Sequence, residues 1–171
     1  VKSSGTLTIS QTNLALSGNS TLTSDVALSF VNLNLNDFTL TLGSSTSDLT
    51  VENTITIDAS TEGILTGGAD LLLSALSLSA GDVTSTGGIV SLSGGGQLSG
   101  TGKLDVSNST WTLGDNFTKT DGTLTTTGNG TILELTDNLS VTSDTHFSVK
   151  TLILNDKTIT LGSETTDLIV S

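Results

Sequence analysis

The chain has 171 residues, a formal net charge of −12, about one Ser or Thr in every three positions, and no Cys, Pro, Met, Tyr or Arg. Without cysteine there is no disulfide framework and no thiolate metal site. The acidic balance excludes nucleic-acid and anionic-membrane partners, which need Lys/Arg patches, and no apolar run approaches the roughly 20 residues that cross a bilayer.

Chains rich in Ser, Thr and Gly often stay disordered because they bury too little apolar surface. Here Leu, Ile, Val and Phe recur at regular intervals instead, which predicts an ordered fold. Taken along the chain, Leu33/Leu35, then Phe38, Leu40 and Leu42, then Ile55/Ile57, Leu71/Leu73, Leu76/Leu78, Leu133/Leu135 and Ile159/Leu161 alternate with polar residues. Period-two alternation with Thr on the opposite side marks half-buried strands. Gly, Asn and Asp punctuate these runs, and no helical stripe is present.

Asp follows small polar residues at Asp25, Asp48, Asp70, Asp121, Asp144 and Asp167, mostly about 23 residues apart, the size of one solenoid coil. The predicted fold is all-β: a parallel β-solenoid, right-handed, with about 23 residues per coil and about seven coils. Residues 1–171 read as one continuous solenoid segment, an excerpt of a longer tandem-repeat chain, because there is no initiator Met and no signal peptide.

A longer repeat overlies the coils. NDFTLTLGSSTSDL at Asn36–Leu49 returns as NDKTITLGSETTDL at Asn155–Leu168, 119 positions on, which predicts a superunit of about five coils. What persists between the copies is strand, turn and core: Leu40/Ile159, Leu42/Leu161, Gly43/Gly162 and Asp48/Asp167 stay, while Phe38 becomes Lys157. Counting a fixed distance from the Asp marks brings Leu40, Ser85, Trp111 and Ile159 into one interior file, with small Ser85 making room for Trp111.

Several residues are candidate sites, each with a plain structural alternative. Stacked carboxylates at Asp25, Asp48, Asp70, Asp144 and Asp167 would bind a hard cation such as Ca²⁺; Asp is also an ordinary turn residue. Thr39/Thr41, Thr84/Thr86, Thr110/Thr112 and Thr158/Thr160 are candidates for an outer ligand-binding array, including an ice-binding one; outward Thr also simply suits a strand. Asn32, Asn34 and Asn36 suit stacked amide ladders. Glycosylation sequons at Asn19, Asn108, Asn116, Asn129 and Asn138 are about as many as the composition supplies by chance. Catalysis is not expected: the one His, His146, is replaced by Ala27 in the other copy, and a Ser nucleophile needs a paired base.

The stretches QLSGTGKLDVSNSTWTLG (Gln97–Gly114) and GTLTTTGNGTILEL resemble the coils of bacterial autotransporter passengers, filamentous-haemagglutinin-like exoproteins and giant surface adhesins. The resemblance is compositional and covers the whole chain. It implies an extracellular or cell-surface right-handed β-helix acting as a fibre, stalk or sheath. Its partners would be further repeats or other copies, head to tail. The alternative it leaves open is an adhesin binding a glycan, a host receptor or ice through one outer face.

Overall fold

The computed structural model describes residues 7–114, 117–141, 146–162 and 167–171, with the side chains of residues 7–11 and 167 left aside. The described regular elements are all β-strands. Each lies parallel to the strand about 21 residues away, giving a β-solenoid of about seven turns. The spacing is shorter than the 23 residues suggested by the Asp marks. Individual steps vary with corner length: Gly63 pairs with Asp82, but Thr39 pairs with Gly63 across a longer corner.

Each coil has three sides. The first face carries the file Leu28, Leu49, Leu71, Val90, Trp111, Leu133 and Leu152, each in register with the next. The second face follows a bend inside Val26–Asn34, Asp48–Ile57 and Asp70–Leu78, and continues through Gly96–Leu98 and Phe117–Lys119. Leu139–Val141 packs next along this face. The third face is a separate sheet of Ser20–Leu22, Thr39–Leu42, Gly63–Thr66, Asp82–Ser85, Lys103–Asp105 and Thr123–Thr125. His146–Val149 extends it, since the Ser148 amide donates to Thr126 Oγ1 at 2.9 Å.

Alternation makes this arrangement stable. In Thr39–Leu42, Leu40 and Leu42 are buried while Thr39 and Thr41 are half-buried on the outer side. The inward residues of all three faces meet in one core. Burying a Leu, Ile or Phe side chain contributes about 1.5–3 kcal/mol. One side therefore contributes little, and stability comes from stacking.

Trp111 is fully buried, as expected, but its file differs from the expected one. Leu40 belongs to the third face, where Ser20, Ile64 and Val83 are its register partners in turn. Trp111 lies between Val90 and Leu133 on the first face, and Ile159 pairs with Leu139. Counting from the Asp marks fails because the corners differ in length. Trp111 packs edge-on against Phe117, with ring centroids 5.3 Å apart, and stacks on Phe147 at 6.2 Å. Gly96 is in register with Phe117; a Cβ there would make ordinary contact with that ring at 3.5 Å but would approach Leu76 O to 3.0 Å.

The long repeat is also visible in three dimensions. Gly43 N–H donates to Leu22 O (2.8 Å) and Gly162 N–H to Val141 O (2.7 Å). Ser20 pairs with Leu40 as Leu139 pairs with Ile159, and Ala27 with Asp48 as His146 with Asp167. The two copies nevertheless occupy different faces. Leu33 lies on the second face, whereas its equivalent Leu152 lies in the Leu28 file of the first. The superunit is thus five complete coils and two further sides, rather than five coils.

The copies also differ in cover. Leu42 is 0% exposed, while Leu161, in the final turn, is 40% exposed. Leu42→Ala should therefore destabilise by about 2–5 kcal/mol and Leu161→Ala by about 1 kcal/mol or less, despite near-identical local sequence. Urea unfolding followed by the emission of buried Trp111 measures both.

Candidate functional site

The repeated corners are built by Asn-Asp pairs. Asn36 and Asp37 have φ of 51° and 65°, and Asn155 and Asp156 have 49° and 61°. Among L-residues, Asn and Asp tolerate this left-handed region best. The corner closes when Phe38 N–H donates to Leu35 O (3.0 Å), and Lys157 N–H to Leu154 O (2.8 Å). Asn36 Nδ2 then donates to Leu16 O in the preceding coil (2.8 Å), as Asn155 Nδ2 does to Leu135 O (3.0 Å). Asn19 and Asn138 complete the pattern, their Oδ1 atoms accepting the Thr39 and Thr158 amides at 2.9 Å. Two of the sequon asparagines thus hold corners. Asn108 adopts φ of 59°, Asn129 is exposed, and Asn116 lies outside the described residues.

An outward amide ladder is present. Asn32 Nδ2 donates to Asn13 Oδ1 and Asn53 Nδ2 to Asn32 Oδ1, both at 2.8 Å. Asn34 and Asn36 instead serve their own corner, with Asn34 Oδ1 accepting the Asn36 amide (2.9 Å).

The Asp candidates do not form one file. Asp48 and Asp70 are in direct register; Asp25 is exposed and precedes the pairing of Ala27 with Asp48. Asp70 Oδ1 accepts the Ile89 amide at 2.8 Å, the role of a corner acceptor. Asp167 is in register with His146, and Asp144 lies outside the described residues. Among the described residues no three His, Cys, Asp or Glu side chains converge as a metal site.

The Thr candidates fall on three different faces. Thr39, Thr41 and Thr84 are on the third face, with exposed Thr86 just beyond it; Thr110 and Thr112 are on the first. Thr160, with Thr158 just before its strand, pairs with the second-face strand Leu139–Val141. Even within the third face, the outward file runs Thr21, Thr41, Leu65, Thr84, Asp105, interrupted by an exposed Leu. Equal counting from the Asp marks assigned equal azimuths to residues on unequal coils.

Two features were not anticipated. The first is Glu62, only 7% exposed in the long corner before Gly63. Its Oε1 accepts the Asp37 amide (3.2 Å), and its Oε2 accepts the amides of Asp58 (3.0 Å) and Ala59 (3.3 Å). One carboxylate thereby locks two successive corners together. Beside it opens a polar groove of about 390 Å³ lined by Asn32, Asn34, Thr54, Thr56, Asp58 and Glu62. In the sequence this corner is marked by Glu62 and Ile64, which stand in the third coil where the neighbouring coils carry a Thr-x-Thr pair.

The second is a file of small residues at the corner between the third and first faces. Ser47, Ala69, Gly88, Ser109 and Thr131 each fall one position before a registered pair. Ser47 Oγ donates to Ser24 O (3.0 Å), and Ser109 Oγ lies 3.0 Å from Ser85 Oγ and 3.1 Å from Ser85 O. Ser85 Oγ in turn donates to Gly87 O (2.6 Å). Gly88, at φ 74°, has no room for a side chain, since a Cβ would lie 2.5 Å from Gly68 O. Buried hydroxyls are tolerated here because each has a partner.

No protein-family model matches the chain, and no curated protein and no solved structure matches it.

Removing the Glu62 carboxylate leaves three corner amides without their acceptor, so Glu62→Ala should cost more than about 2 kcal/mol. Chemical denaturation compared with Asp58→Ala, an exposed corner carboxylate, measures the difference. Two registered carboxylates fall short of the 6–8 oxygen ligands usual for Ca²⁺. EGTA should leave the melting temperature unchanged, and a downward shift would restore the cation reading.

Proposed function

We propose that this chain is a non-catalytic, extracellular structural segment: part of a fibre, stalk or sheath that continues end to end through tandem repeats or further copies of itself. The observation that supports this best is the parallel ladder of the first face, which runs from Leu7–Ala15 to Thr151–Ile153 around a single core. Coils are joined through backbone hydrogen bonds along one axis, and about seven turns at 4.8 Å extend roughly 34 Å. In such a rod axial tension falls on the hydrogen bonds between coils, and corner residues such as Asn36 and Glu62 fasten successive coils.

The final turn also favours continuation. Leu154, Leu161 and Val170 occupy inward positions whose counterparts Leu135, Val141 and Val149 are buried, yet they are 43%, 40% and 51% exposed. A further coil, covalent or from another copy, would bury them. The groove beside Glu62 favours a second reading, an adhesin that holds a polar ligand such as a glycan on one face.

Light scattering and electron microscopy of the purified chain over rising concentration test the fibre reading. The expected outcome is growth in length at constant width, suppressed by Leu154→Glu with Leu161→Glu. A strictly monomeric chain with saturable glycan binding, lost in Asn34→Ala with Thr56→Ala, would replace it with the adhesin reading.

A further inference from the structure

The two copies of the repeat share corners, registers and hydrogen bonds while sitting on different faces of the rod. Asn36–Asp37 turns the chain from the second face to the third, because Leu33 precedes it and Thr39–Leu42 follows. Asn155–Asp156 turns it from the first face to the second, between Thr151–Ile153 and Ile159–Leu161. Each side asks for the same things: two inward apolar residues separated by one outward residue, then a tight corner. Thr39–Leu42 and Ile159–Leu161 meet that requirement with Leu40/Leu42 and Ile159/Leu161.

We infer that the three faces are interchangeable seats for one module of about seven residues, and that the 119-residue unit advances its surface by two-thirds of a turn each time it recurs. A feature carried by the unit is then presented on a different face in each successive unit and returns to its starting face only after three. The Asn-Asp corner already does this within the chain, emerging at one edge at Asp37 and at another at Asp156. The surface so formed suits partners arranged around the rod, such as neighbouring copies packed laterally on all sides. It is unsuited to a single flat ligand lattice, for which equivalent residues must share one face. The presentation in successive units rests on the fibre reading; the change of face within this chain does not.

Absence of native cysteine allows engineered pairs to report the face directly. Disulfides form where Cα atoms lie about 4.4–6.8 Å apart, which neighbouring parallel strands satisfy. Along the outward file of the first face, the Cys pairs at Ser29 and Thr50, Thr50 and Leu72, Leu72 and Ser91, Ser91 and Thr112, Thr112 and Glu134, and Glu134 and Ile153 should each cross-link rapidly and intramolecularly. These links tie Ile153 to the file of Ser29 rather than to that of its equivalent Asn34. If the repeat kept its face, Ile153 would share a file with its equivalent Asn34 on the second face, and at least one link of the first-face file between Ser29 and Ile153 would be missing. Failure of any one of these six links in a folded variant breaks the file between Ser29 and Ile153 and overturns the inference. All positions face outward or half outward, so folding is preserved, and Trp111 emission checks it in each variant. The assay reads a monomer, so its result is independent of whether fibres form.

Discussion

The hydrogen-bond ladder between coils is the constraint on which the rest depends. A parallel ladder needs each strand to meet its neighbour in register, about 21 residues on, with inward side chains above inward side chains. A slip of one residue would turn Leu49 and Leu71 outward and bring Thr50 and Leu72 in. Corners absorb the length differences that would otherwise cause such slips. This explains why the most specific side-chain chemistry of the molecule lies at corners: Asn36, Asn155, Glu62 and the Ser85–Ser109 pair.

Those corner contacts act differently from the core. Apolar burial is non-directional and would tolerate several registers, whereas an amide or carboxylate satisfying particular backbone groups fits one. Glu62 illustrates the division. It sits in the longest corner step, where an unbraced loop would leave amides of Asp37, Asp58 and Ala59 competing for water. The carboxylate meets all three, and the following strand resumes with Ile64 stacked on Leu40. Side-chain chemistry at that corner therefore protects the register of the core.

The fold class was legible because alternation of apolar and polar residues is itself the physical cause of a strand with one buried side. Leu40/Leu42, Ile55/Ile57 and Leu76/Leu78 are buried as their spacing requires. Position around the coil was not legible, since it depends on the summed lengths of corners, and no local pattern records a sum. Ser85, Trp111 and the Thr pairs were misplaced for that reason. The Asp marks show the same limit from another side. Asp48 and Asp70 are half-buried acceptors or outward residues, while the fully buried member of each mark is the residue before it, Ser47 or Ala69. Recurrence drew attention to the charge, but the packing constraint belongs to the small neighbour that fits the pinched corner.

The same reasoning bears on why a repeat need not match the coil. If each face imposed a distinct shape on its residues, a duplicated segment could be accommodated only at whole-coil intervals, and a unit of 119 residues would be strained. The observed registers show no such strain: Ser20 with Leu40 and Leu139 with Ile159 are paired alike, and the Asn19 and Asn138 acceptor bonds have equal lengths. What a segment experiences is the coil beneath it and the core beside it, and the two copies meet the same pairing on different faces although the corners between faces differ. Duplication of such a segment by a whole number of sides therefore keeps its strands in register with the coil beneath, as the two copies here do.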